Sequence, residues 1–139
     1  MTGALALHNL GMTLRRVDRL DEAITAQRDA AAIFQATGNL HGKGRALLSL
    51  GLALKDADRF DEAIAAHRDA AAIFQATGDL HYEGSALSSL GFVLQDADRL
   101  VEAINAFREA ADLFRRVGDE QARRWALDNL KKAKTARRR

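Results

Sequence analysis

The chain has 139 residues, 47% apolar and 29% charged, with no proline and no cysteine. That length can hold a domain-sized core, the lack of cysteine excludes disulfides and thiolate metal sites, and the lack of proline favours helix. The net charge of +2 is set by a tail: Lys131, Lys132, Lys134, Arg137, Arg138 and Arg139 leave 15 basic against 19 acidic side chains elsewhere, so no basic nucleic-acid-binding body is expected.

One stretch is written three times. RLDEAI at 19–24 returns as RFDEAI at 59–64 and as RLVEAI at 99–104, while RDAAAIFQATG occupies both 28–38 and 68–78. A fixed 40-residue offset implies stacked supersecondary units, each touching mainly its neighbours.

Taken in order, the first predicted helix covers about 1–16, with Leu7, Leu10, Gly11 and Leu14 on one face. Asp18 is placed to cap the second helix, about 20–37, and Asp21 and Glu22 fall in its first turn, where the helix dipole favours acid. Gly38 should end that helix in a left-handed conformation, and Asn39 should cap the next. The third helix, about 40–56, carries Ala46, Leu47, Leu50, Gly51 and Leu54. After Asp58, the fourth, about 60–77, has the stripe Phe60, Ala63, Ile64, His67, Ala70 and Phe74, and Gly78 closes it. Helices at about 80–96, after Asp79, and about 100–117, between Asp98 and Gly118, repeat the scheme. A last helix, about 120–135, follows Asp119. The expected organisation is a single all-α array: repeats at about 1–39, 40–79 and 80–119, a closing helix at about 120–135, and a basic tail at 131–139.

Chemistry-bearing constellations are missing. His41 and His81 stand a full repeat apart and no His-x-x-x-His spacing occurs, so no metal is expected. The carboxylates Asp56, Asp58, Asp61 and Glu62 cluster at a turn where capping accounts for them, and no nucleophile–base set or phosphate loop appears. The reading is a protein that is no enzyme and uses no cofactor. Arg28, Arg68 and Arg108 form a ladder expected to be a solvated face. No apolar run approaches the roughly 18 residues of a membrane span, and no signal segment opens the chain, so a cytoplasmic protein without membrane contact is expected.

At Leu47, Leu50–Gly51, Leu54, Ala63, His67 and Ala70 the chain resembles the tetratricopeptide repeat (TPR) family. Leu7, Leu10–Gly11, Leu14, Ala23, Gln27, Ala30 and Leu87, Leu90–Gly91, Leu94, Ala103, Phe107, Ala110 repeat the match. The 40-residue length is similar to the repeats of spindle-orientation adaptors, kinesin light chains and bacterial regulators. The resemblance implies a right-handed α-solenoid whose first helices line a concave groove for a partner peptide or segment. That places Asn9, Met12 and Arg15 in the groove, with Leu5 and His8 beside them. The second set is Arg45, Leu48, Ser49, Leu52 and Lys55; the third is Ser89 and Phe92, with Ser85, Ser88 and Gln95; the fourth is Trp125 and Asn129, with Asp128 and Lys132. In the family an asparagine before Leu–Gly bonds the ligand backbone; Asn9 and Asn129 match, whereas Ser49 and Ser89 do not. Arg15, Arg45 and Lys55 could meet a carboxylate. The expected function is a protein–protein interaction module. Alternatives are a self-assembling TPR oligomer, such as a domain-swapped homodimer, and a sensor arm of a larger regulator, which the uncapped start at Met1 would suit.

Overall fold

The computed structural model describes residues 3–139. Among these the chain forms seven helices: α1 (Ala4–Arg16), α2 (Leu20–Ala36), α3 (Leu40–Asp56), α4 (Phe60–Thr77), α5 (Leu80–Asp96), α6 (Leu100–Val117) and α7 (Glu120–Arg137). The expected start of the first helix, at residues 1 and 2, lies outside the described residues. The last helix runs two residues further than its apolar pattern, because Lys134 and Arg137 sit in the final turn, at the negative pole of the dipole.

Each helix packs on the next in sequence, and α1 also touches α3 as α3 touches α5. The second helices α2, α4 and α6 approach one another less. First helices therefore follow the shorter arc of the stack and form its inner face. Ile24, Leu54, Ile64, Leu94, Phe107 and Phe114 belong to one continuous core along the array. Packing inside each pair needs the Leu–Gly step. A Cβ placed on Gly51 would stand 2.4 Å from Cε1 of the fully buried His67, so only glycine admits that ring.

The turns hold one correction. Gly38, Gly78 and Gly118 are left-handed as expected, with φ of 75°, 79° and 78°. Asn39, Asp79 and Asp119 cap the following helices, each side chain accepting the N–H of Gly42, Tyr82 or Ala122. Asp18, Asp58 and Asp98, in contrast, do not cap the helices after them: they have φ near +60° and belong to the helices before them. The Asp58 N–H donates to the Lys55 carbonyl and the Arg59 N–H to the Leu54 carbonyl, both at 2.9 Å, so the end of α3 is closed by a Schellman motif. Aspartate tolerates the left-handed region better than most residues, which is what places it here. The N-cap positions go to Arg19, Arg59 and Arg99, whose side chains cap no backbone N–H; their guanidinium groups reach forward to Glu22, Glu62 and Glu102.

The arginine ladder is exposed, as expected of a solvated face, and two of its members also form ion pairs. Arg28 donates to Glu62 at 2.7 Å and Arg68 to Glu102 at 2.8 Å, each bond crossing from one repeat to the next. Glu62 thus holds both Arg59 and Arg28, and these two guanidinium groups, Arg59 first, keep its carboxyl below the usual range. Two more ladders run in parallel: His41 to Asp79 and His81 to Asp119, at 3.2 and 3.3 Å, and Arg15 to Asp56, at 2.7 Å, with Lys55 to Asp96, at 3.6 Å.

Candidate functional site

The inner face is the surface that changes most from repeat to repeat. Residues at one-turn spacing on α1, α3, α5 and α7 point the same way, so each helix contributes a short row. Asn9 and Met12 are exposed; Arg15, Arg45, Leu48, Ser49, Leu52, Lys55, Ser89 and Phe92 are half-buried; Trp125 is 44% exposed. Asn129 is buried, as are His8 and Ser88, and its amide donates to the Trp125 carbonyl at 2.8 Å.

Two cavities lie along this face. The first, about 390 Å³, is lined by Gly11, Met12, Arg15, Arg16, Gln27, Ser49 and Leu52, and so unites four of the expected residues. Its floor is held by a buried polar pair: His8 Nδ1 stands 2.9 Å from Gln27 Oε1, and Gln27 Nε2 donates to the His8 carbonyl at 3.0 Å. The second cavity, about 450 Å³, is lined by His81, Ser85, Ser88, Ser89, Phe114, Asp119, Gln121, Ala122 and Trp125. Between them Phe92 stands with its ring 5.2 Å from Trp125 and 5.4 Å from Phe107, and Lys55 Nζ lies 5.6 Å from the Phe92 centroid. These are spacings at which aromatic rings and a cation attract. Asn9, Arg45 and Leu48 line neither cavity.

The electrostatics differ from a row of free cations. Arg15 and Lys55 are paired with Asp56 and Asp96 of the next repeat, whereas Arg45 forms no ion pair among the described residues. Among the described residues two buried polar side chains are left without a hydrogen-bond partner, His67 and Ser88. Burial pushes the His67 ring down to about 4, with the Lys55 charge adding to the effect, so the ring is neutral at pH 7. The repeat alignment accounts for both orphans. Positions 8 and 27 are His and Gln, which bond each other; 48 and 67 are Leu and His; 88 and 107 are Ser and Phe. Only the first repeat has polar partners at both places.

Arg16, Gln27, His81 and Gln121 line the cavities without having been expected there. Gln121 lies one turn before Trp125 on the same helix, a spacing that could have identified it. His81 and Gln27 enter from a helix start and from a second helix, which a groove read only from first-helix rows leaves out.

Comparison with known proteins agrees with this architecture. Models of the tetratricopeptide repeat match residues 4–76 and 84–117. A Podosopora anserina protein described as a kinesin light chain with nearly identical TPR-like repeats superposes with a TM-score of 0.77 at 16% identity, over 92% of this chain and 64% of its own. BtubC (BKLC) from P. vanneervenii superposes with a TM-score of 0.71, also at 16% identity, over 97% of this chain and 64% of its own. The chain thus spans less than two thirds of the length of either. A comparison with curated protein sequences gives no match.

Proposed function

Since the chain belongs to the tetratricopeptide repeat family, we propose that it is a non-enzymatic interaction module whose inner groove holds an extended or helical segment of a partner protein. The observation that supports this best is the line of incompletely buried apolar side chains on the inner face, Met12 and Leu52 at one cavity, Trp125 at the other and Phe92 against Trp125 between them. Apolar surface left open in a row marks a place where another chain gains by covering it. The groove is held open by stacking, so a segment binds with little ordering of the module itself. Leu52 and Phe92 anchor apolar side chains. Arg45, the cation left unpaired, meets a carboxylate of the segment, while Arg15 and Lys55 do so only by sharing the aspartates they hold. Asn9 is free to bond the segment backbone; Asn129 is already committed to Trp125.

Leu52→Ala combined with Phe92→Ala should abolish capture of the partner from the source cytosol in an affinity pull-down, with helicity by circular dichroism unchanged. Retention of the same captured protein by the double variant would count against the groove.

A second reading has its own support. Residues 28–38 and 68–78 are identical, so an element of one copy can replace its equivalent in another and give an exchanged homodimer. Light scattering separates the two, since a mass that stays near 15.2 kDa at high concentration excludes self-assembly. A cytoplasmic setting fits a chain without cysteine, and among the described residues no helix is long and apolar enough to cross a membrane.

A further inference from the structure

We propose that the cavity between α5 and α7 is a specificity pocket for one neutral side chain of the partner segment, with a flat apolar body and a hydroxyl at its tip: a tyrosine. This rests on the groove reading above. Three observations lead to it.

The first is the orphaned hydroxyl of Ser88. It is 2% exposed, lines the cavity and bonds to nothing. A buried unpaired hydroxyl is costly to the fold, and a site that leaves one unpaired discriminates strongly in favour of a ligand that satisfies it.

The second is charge. The lining contains no lysine or arginine, and its one carboxylate, Asp119, is engaged twice: Oδ1 accepts the Ala122 N–H and Oδ2 faces His81 Nε2. Neither an acid nor a base brought in by a ligand would find a free counter-charge, so the occupant is neutral.

The third is shape. Trp125 presents an exposed ring braced by Phe92, and Phe114 lines the same cavity with its ring 5.7 Å from that of His81. A volume of about 450 Å³ between aromatic walls suits a flat group. Ser85 donates to the His81 carbonyl, so its oxygen keeps a lone pair for a phenolic O–H, and Ser89 stands one residue beyond Ser88.

The test uses the full chain and two probes, N-acetyl-L-tyrosinamide and N-acetyl-L-phenylalaninamide, titrated while amide shifts are followed by NMR. Trp125, the single tryptophan, gives a parallel fluorescence reading. The expected result is shifts confined to Ser85, Ser88, Ser89, Gln121 and Trp125, with the tyrosine probe binding roughly fivefold to tenfold tighter, the value of one hydrogen bond. Ser88→Ala, which places a strong helix former at that position, should erase the difference between probes, and Trp125→Ala should weaken both. Equal binding of the two probes, a preference that survives Ser88→Ala, or shifts elsewhere would each overturn the assignment. Met12→Ala with Leu52→Ala should leave the probe titration unchanged while weakening capture of the partner. Loss of capture without probe selectivity therefore sinks the pocket and spares the groove, and the reverse result spares the pocket.

Discussion

His67 gives the sharpest test of the packing. Its ring is fully buried against Gly51, both nitrogens lack partners, and burial pushes it from its ordinary 6.5 down to about 4. The folded protein therefore holds it neutral while the unfolded chain takes up a proton as pH falls below 6.5. A group depressed in this way contributes stability that is present in full above 6.5 and is lost as pH falls towards 4. At 1.36 kcal/mol per unit, the loss is roughly 3 kcal/mol, a large share of what a domain this small possesses. The variant to compare is His67→Phe, because Phe107 already occupies the equivalent place against Gly91 in the next repeat. Removing an unpaired buried polar group should raise stability at pH 7 by about 1–3 kcal/mol. Urea denaturation followed at 222 nm, on both proteins at pH 7 and pH 4.5, measures the gap between them. Since the other three histidines are common to both chains, their contributions cancel. The gap should widen by about 2–3 kcal/mol on acidification. A gap independent of pH, or an NMR titration placing the His67 ring near 6.5, would refute the reasoning.

Two further outcomes follow from the turns and the ladders. Asp58→Gly should raise stability by about 0.5–1 kcal/mol, since glycine accepts the left-handed conformation without strain; a loss of similar size in thermal unfolding would restore the aspartate to a capping role. Glu62→Gln removes the negative charge shared by Arg28 and Arg59, so it should lower the melting temperature at low salt and make no difference at high salt, as exposed pairs are screened.

Much of this molecule can be read from periodicity. The leucine rows and the glycines at 38, 78 and 118 place the helix boundaries within a residue or two wherever a turn separates them. Asp18 was misassigned because aspartate is favoured both at an N-cap and in a left-handed C-terminal turn, and the three-residue link between helices offers both places. What decides is the backbone bond from Arg19 to Leu14, visible only once the chain is folded. The inter-repeat pairs were illegible for another reason. Their separations of 34, 38 and 41 residues are set by how each repeat rotates on the last, a quantity no single helix encodes. The groove residues fall between these cases. Exposure of Met12 and Trp125 follows from which face is inward, but the commitment of Asn129 and the engagement of Arg15 and Lys55 depend on neighbours from the next turn of the stack.

The shared acceptors at Glu62 and Glu102 bear on how such a chain can change its length. Arg28 and Arg68 each reach a glutamate of the next repeat, Glu62 and Glu102, and His41 and His81 reach the aspartates that cap α5 and α7. A whole 40-residue unit can therefore be inserted or removed between α2 and α5, and every junction still meets a complementary edge. The joints are interchangeable couplings. Array length is free to drift in steps of one repeat, while the inner-face positions outside the Arg15 and Lys55 pairs diverge to suit whatever the groove holds.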